Sequence, residues 1–209
     1  GLKNFYEIFG RDDLFWQSLK VTSIYTLSVP MRMVFALALA VMLNQSIKGL
    51  AFFRTVYYLP SVVGGVATAV VWIWIFNPNF GILNYLLGLV GIEGPNWLRS
   101  ETWVLPSFMI MSLWRVGGSM VIYLAGLQGV PTVLHEAAKI DGANAIQRFF
   151  RVTLPMISPV IFYNVVMGVI SSFQVFTAGY VMTNGGPHNA SLFYVLYLYR
   201  HAFQFFRMG

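Results

Sequence analysis

The stretch Val21–Leu43, VTSIYTLSVPMRMVFALALAVML, decides the class of this protein. Its 23 residues carry a single charge, Arg32. A helix rises about 1.5 Å per residue, so about 20 mainly apolar residues cover the roughly 30 Å hydrocarbon core of a bilayer. Hydrocarbon offers a backbone amide no partner outside its own segment, which leaves the α-helix as the conformation for an apolar run of this length. Three further runs meet the same test: Phe52–Phe76, Trp103–Leu127 and Met156–Thr183, with only Arg54 and Arg115 adding charge inside them. The predicted fold is an all-α, polytopic membrane helix bundle, taken as one domain over residues 1–209 because no repeat, low-complexity tract or linker divides the chain.

Composition agrees. Only 10% of the residues are charged and 57% are hydrophobic, whereas a soluble domain carries about 25% charge. The net charge of +6 does not indicate nucleic acid, since the 13 Lys and Arg are scattered singly rather than clustered on one face. Zero cysteines exclude disulfide frameworks, thiolate catalysis and Cys-ligated metals. His135, His188 and His201 are too dispersed for a metal site, and no cofactor is expected. No G-x4-G-K-[ST] phosphate loop is present, so the chain is not expected to hydrolyse ATP or to be an enzyme. Asn44-Gln45-Ser46 and Asn189-Ala190-Ser191 fit the glycosylation pattern, which is too short to carry weight.

Two shorter apolar stretches, Gly81–Ile92 and Leu192–Phe206, read as interfacial helices; the second, rich in Phe and Tyr, can instead lead into a further span. The chain starts at Gly1 and stops just after an aromatic run, and is read as a piece of a longer protein. Four spans put the loops 44–51 and 128–155 on one side. These, with Arg54, hold Lys48, Lys139, Arg148 and Arg151, a higher density of positive charge than Lys3, Arg11, Lys20, Arg99, Arg200 and Arg207 make on the other. The positive-inside rule therefore places the loop 128–155 in the cytoplasm.

A loop of nearly thirty residues between spans needs a reason. It runs GVPTVLHEAAKIDGANAIQRFFRVTLPMISP from Gly129 to Pro159. Pro131 can open a helix and Thr132 can cap it, Gly142 suits a left-handed turn at its end, and Ala143–Phe150 can start a second short helix before Pro155 opens the next span. The result is a knob whose apolar residues, among them Val133, Leu134, Ile140, Phe149 and Phe150, are ringed by Glu136, Asp141, Arg148 and Arg151. Either a cytoplasmic partner grips it or it packs on its own bundle.

The run Glu136-Ala137-Ala138, three residues, Gly142, nine residues, then Val152-Thr153-Leu154-Pro155 resembles the E-A-A-x3-G-x9-I-x-L-P signature of binding-protein-dependent ABC importer permeases, with Val152 in place of Ile. Further stretches, FFRTVYYLPSVVGG, WIFNPNFGILNYLL and TNGGPHNASLFYVLYLYRHAF, resemble its carbohydrate-uptake branch, the last in particular the larger permease subunit of maltose-, glycerol-3-phosphate- and oligosaccharide-type systems. The resemblance implies a translocation subunit for a sugar or related polyol, working by alternating access in a bacterial or archaeal cytoplasmic membrane. It also implies four kinds of neighbour: a second, homologous permease, two ATP-binding subunits, an extracytoplasmic solute-binding protein and membrane lipid. On that resemblance the ATPase-coupling residues are Glu136, Ala137, Ala138, Asp141, Gly142, Phe149, Leu154 and Pro155, and a span on each side of this region is expected beyond the chain.

Candidate solute-path residues are polar groups inside spans, which are costly there and face a cavity or another helix. They are Arg115, Asn164, Ser171, Gln174 and Tyr180. Asn164, Ser171 and Gln174 lie seven and three residues apart, hence on one helical face. Hydrogen bonding between helices explains the same residues without a solute, and Arg115 equally suits a pathway or a structural bond; Arg32, beside Pro30, is read as structural. The rival classes are an ion-coupled secondary transporter or channel, which needs intramembrane Asp or Glu, and a membrane-embedded enzyme, which needs clustered catalytic groups. The four spans contain no Asp or Glu.

Overall fold

The computed structural model describes residues 2–45 and 48–207. Among these residues every regular element is helical. Ser46, the third residue of the Asn44 glycosylation pattern, lies outside the described residues, as does part of the loop 44–51. Two compact units emerge: Gly1–Ser28, Val63–Ser112 and Val169–Gly209 form the first, Val29–Val62 and Leu113–Gly168 the second. The first contains the connections 77–102 and 184–207; the second contains the loop 128–155.

The first unit begins with α1 (Lys3–Arg11) and α2 (Asp13–Thr26). Between them Asp12 is extended and its Oδ1 accepts from the amides of Leu14 and Phe15, capping α2. Then come α5 (Gly65–Ile75), α6 (Ile82–Leu89) and α7 (Val104–Leu113), and finally α13 (Tyr194–Tyr199). Its core joins Phe15, Val21 and Tyr25 of α2, Trp72 and Phe76 around the end of α5, Val104, Phe108 and Met111 of α7, and Leu192, Phe193 and Leu196. Asp12 also fixes the end of this unit: Tyr197 donates its hydroxyl to Asp12 Oδ2 at 2.7 Å. Burial, and then that bond to a carboxylate, hold the phenol well above its ordinary pKa.

The second unit holds α3 (Ser28–Leu43), α4 (Leu50–Val62), α8 (Gly117–Gln128), α9 (Thr132–Ile140), α10 (Ala145–Arg148), α11 (Leu154–Met156) and α12 (Ser158–Phe173), whose last turn belongs to the first unit. Ala36, Leu39, Ala40 and Leu43 of α3 pack with Val116, Met120, Tyr123, Leu124, Leu127, Val130 and Ile157. A Cβ on Gly117 would stand 2.4 Å from the Tyr57 carbonyl oxygen, so α8 meets the α4 backbone only because residue 117 has no side chain. Arg54 donates from Nη2 to the Leu43 carbonyl at 3.1 Å, placing a cation at the negative end of α3.

One helix, Asp13–Leu43, is long and apolar enough to cross a membrane by itself, interrupted only at Leu27. Pro30 explains the interruption, because it has no amide to offer the carbonyl four residues back. Two bent helix pairs that pass the same test together, Leu50–Val62 with Gly65–Ile75 and Val104–Leu113 with Gly117–Gln128, fall on the expected runs Phe52–Phe76 and Trp103–Leu127, whereas the third, Ala145–Met156 with Ser158–Phe173, starts inside the loop 128–155 and only overlaps the expected Met156–Thr183. In Phe52–Phe76 the division falls at Val63–Gly64, where Gly64 is extended (φ −58, ψ 146); in Trp103–Leu127 it is the turn Trp114–Val116. Met156–Thr183 is interrupted at Ile157 and again at residues 174–176. At Ile157 the axis bends by 66°, with Pro155 and Pro159 lacking amides on either side.

Candidate functional site: the loop 128–155 and the polar span residues

The loop is a rigid head on two anchored stalks. Leu127 and Val130 hold its entry and Ile157 its exit in the core of the second unit, and Thr153 is buried just before the exit. Pro131, extended at φ −60 and ψ 130, occupies the cap position, so α9 starts at Thr132 itself; Thr132 is the first helical residue, not the cap expected from its hydroxyl. At the other end Gly142 adopts φ +79. Its amide bonds the Lys139 carbonyl at 3.0 Å and the Ala143 amide bonds the Ala138 carbonyl at 2.9 Å, the pair of bonds that closes a Schellman turn.

Two residues later a new helix begins with reciprocal capping. Asn144 accepts from the Gln147 amide and Gln147 Oε1 accepts from the Asn144 amide, both at 2.9 Å. The helix then loosens into a π-helical stretch, Phe149–Thr153, before α11 and the bend at Ile157. The expectation of two short helices meeting at Gly142 thus acquires a detail that hydrophobic spacing does not encode.

The head presents apolar surface outward. Val133, Ala137 and Ile140 lie at i, i+4 and i+7 on α9 and all are exposed, Ile140 by 87%. Ile146 and Phe150 are exposed as well, and Phe149 meets Phe150 edge-on at 5.2 Å. Glu136 and Asp141 are exposed; among the described residues no ion pair joins them to Lys139, Arg148 or Arg151. Ala138 and Leu154 are half-buried and Pro155 is exposed. Val133, Ile140 and Ile146 are exposed alongside the motif residues Glu136, Ala137, Asp141 and Gly142, and the spacing of 133, 137 and 140 is the signal that singles out the outward stripe.

The polar span residues separate into different settings. Asn164 is buried and its Nδ2 donates to the Val160 carbonyl of its own helix at 2.9 Å, whereas Ser171, on the same face by spacing, is exposed. Gln174 lies past the end of α12, which stops at Phe173, so the helical register extrapolated to it does not hold. Residues 174–176 are non-helical; beyond them Tyr180 stacks on Phe176 (5.4 Å between ring centres, 15°), and Tyr199 meets both at 5.0 and 5.5 Å. Arg115 sits exposed in the turn between α7 and α8. Irregular backbone within a span persists only where protein covers it or water lines it.

One helix long and apolar enough to cross a membrane and three bent helix pairs that pass the same test together fit a membrane-embedded protein. The comparisons agree. The family of binding-protein-dependent transport system inner membrane components matches residues 32–203. The chain is 49% identical over 214 residues to the probable ABC transporter permease protein YesP of Bacillus subtilis, covering 100% of this chain and 69% of that protein. It is 30% identical over 210 residues to the trehalose/maltose transport system permease protein MalF of Thermococcus litoralis, covering 100% and 70%. A solved structure of a bacterial ABC transporter involved in import of the acidic polysaccharide alginate superposes with a TM-score of 0.87 at 25% identity, over 99% of this chain and 74% of that one. This chain belongs to the binding-protein-dependent transport system inner membrane components, a family whose matched relatives are ABC importer permease subunits.

Proposed function

We propose that this chain forms, as a single permease domain, half of the translocation pathway of an ATP-driven importer for a sugar or related polyol in a bacterial or archaeal cytoplasmic membrane. A second permease supplies the other half, two ATP-binding subunits hydrolyse the nucleotide, and an extracytoplasmic binding protein delivers the solute. The observation that carries the reading is the loop 128–155: a short helix closed by a Schellman turn, with an exposed apolar stripe and both stalks seated in the core. A partner that grips α9 can pass a displacement through Val130 and Ile157 into the helices packed around them as a rigid-body movement. Glu136 and Asp141 offer carboxylates to partner Arg or backbone donors, Ala137 and Ala138 allow close approach, and Phe149, Leu154 and Pro155 stiffen the return path.

Solute contact is assigned to the irregular stretch at 174–176 with Ser171, Gln174 and Tyr180. A side-chain amide and a hydroxyl beside stacked rings suit sugar hydroxyls and sugar faces, and the freed backbone groups of a broken span add donors and acceptors. Arg115, in the other turn, is a second pathway candidate, while the bond from Asn164 to Val160 favours a packing role for Asn164. The sugar class follows from relatives whose names specify trehalose/maltose and lactose transport.

Reconstitution of the full-length protein with its partner permease, ATPase and binding protein tests this. Uptake of radiolabelled di- and oligosaccharides into proteoliposomes is expected to need both ATP and the binding protein. Uptake driven by an ion gradient without ATP would replace this reading with the ion-coupled one.

A further inference from the structure

The segment following α5 has an unusual surface. No Asp, Glu, Lys, Arg or His occurs between Arg54 and Glu93, yet α6 and its exit leave Ile82, Tyr85, Leu86, Leu89, Val90 and Ile92 each at least half exposed. The opposite face is committed inward: Leu83 and Leu87 pack on the core of the first unit. Asn84, on that same side, locks the helix about its axis. Its Oδ1 accepts from Trp97 Nε1 at 2.6 Å and its Nδ2 donates to the carbonyls of Pro78 and Pro95 at 3.2 and 3.4 Å. Gly94 makes the closure possible, since a Cβ there would stand 2.0 Å from Asn84 Oδ1. Trp97 is itself buried between Phe76 and Trp103, at 5.6 and 5.4 Å.

The outward face therefore cannot roll inward to hide its apolar side chains. Its occupant is indicated by continuity. Trp74, near the end of α5, is 68% exposed and meets Phe80 edge-on at 6.3 Å, so the exposed side of a span-forming helix runs without a charged break into the α6 face. Tryptophan at the end of an apolar span marks headgroup depth. Its exposed polar neighbours, Asn79 and Glu93, lie at the two ends of the stretch, and no charged side chain interrupts the face between them.

We propose that α6 is a membrane-interface helix whose outward face is seated at the headgroup–acyl boundary, held at a fixed roll by the Asn84–Trp97 latch. It acts as a float that sets the depth of the α5–α7 connection. The inference rests on membrane location and not on the identity of the solute.

The absence of cysteine in these residues gives a clean test. In the full-length chain, assembled with its partners in proteoliposomes and with any cysteine elsewhere replaced, single spin labels are placed at Ile82→Cys, Leu86→Cys and Leu89→Cys. Glu93→Cys is the water-facing comparator. Collision with oxygen and with an aqueous nickel chelate is read by electron paramagnetic resonance. The expected result is oxygen access exceeding nickel access severalfold at 82, 86 and 89, with the ratio reversed at 93. Nickel access at 86 and 89 equal to that at 93 would mean that the face is in water. Protection from both reagents would mean that protein covers it. Either result overturns the proposal, and neither touches the ATP requirement for uptake.

Discussion

Replacing Gly142 isolates the contribution of one backbone angle to coupling. A Cβ at this position meets nothing within 4 Å, so no substitution is excluded by space; what resists a side chain is φ +79. Alanine in the left-handed region costs about 1–2 kcal/mol relative to glycine, asparagine less, and a β-branched residue more. If a partner binds α9 only with its C-terminal turn closed, that cost is subtracted from binding, and 1–2 kcal/mol is roughly a 5–30-fold loss of affinity. The assay is titration of the labelled ATPase subunit onto the full-length permease in nanodiscs. Affinity is expected to fall in the order Gly, Gly142→Asn, Gly142→Ala, Gly142→Val. Thermal unfolding of the bundle is expected to fall by no more than that same backbone cost of about 1–2 kcal/mol, because the turn is exposed and a side chain there meets no core residue. Equal affinity of the glycine and valine forms would refute the reasoning, as would asparagine binding no better than valine.

Three other outcomes follow from single contacts. Gly117→Ala forces a Cβ against the Tyr57 carbonyl oxygen and is expected to cost about 1–3 kcal/mol as a lower Tm in detergent, whereas Gly118→Ala, with nothing within 4 Å, leaves Tm unchanged or raised. Tyr197→Phe removes the bond to Asp12 and is expected to lower stability by about 1–3 kcal/mol at neutral pH. Since the folded phenol titrates above the unfolded one, this stabilisation is fully present below the unfolded pKa of about 10 and is lost as pH rises through the folded value; chemical unfolding at pH 7 and pH 11 should show the wild type and Tyr197→Phe converging at the higher pH. Gln174→Leu keeps side-chain size and removes the amide; binding-protein-dependent uptake is expected to fall by tenfold or more while ATPase affinity is retained.

Hydropathy reads whole apolar segments because about twenty residues contribute to each, and it misses interruptions because an average over twenty residues barely registers two or three. Gly64 is as compatible with hydrocarbon as its neighbours, and Gln174 is one polar residue among many apolar ones, yet those are the places where helices stop. Pro30, Pro155 and Pro159 were visible as potential breakers; which carbonyls they freed depended on packing. At the loop, Gly142 announced its turn because few other residues adopt that angle, and the turn formed there. Thr132 failed as a cap because Pro131, with no amide and a fixed φ, took the position before it. The π-helical stretch at 149–153 has no counterpart in the hydrophobic spacing of the loop. Exposure of Val133, Ile140 and Ile146 was latent in helical spacing, but composition alone does not say which apolar face of a short helix is turned outward.

The central claim is that α9 is gripped by an ATPase subunit. A cysteine at Ile140, the most exposed apolar residue of the loop, treated with a short bismaleimide in membranes containing the whole complex, tests it in one experiment, with Leu86→Cys on α6 as the control. The account predicts a crosslinked species of permease plus ATPase subunit at 140, varying in yield with ATP, and none at 86. Absence of that species at 140 in complexes that still transport would contradict it.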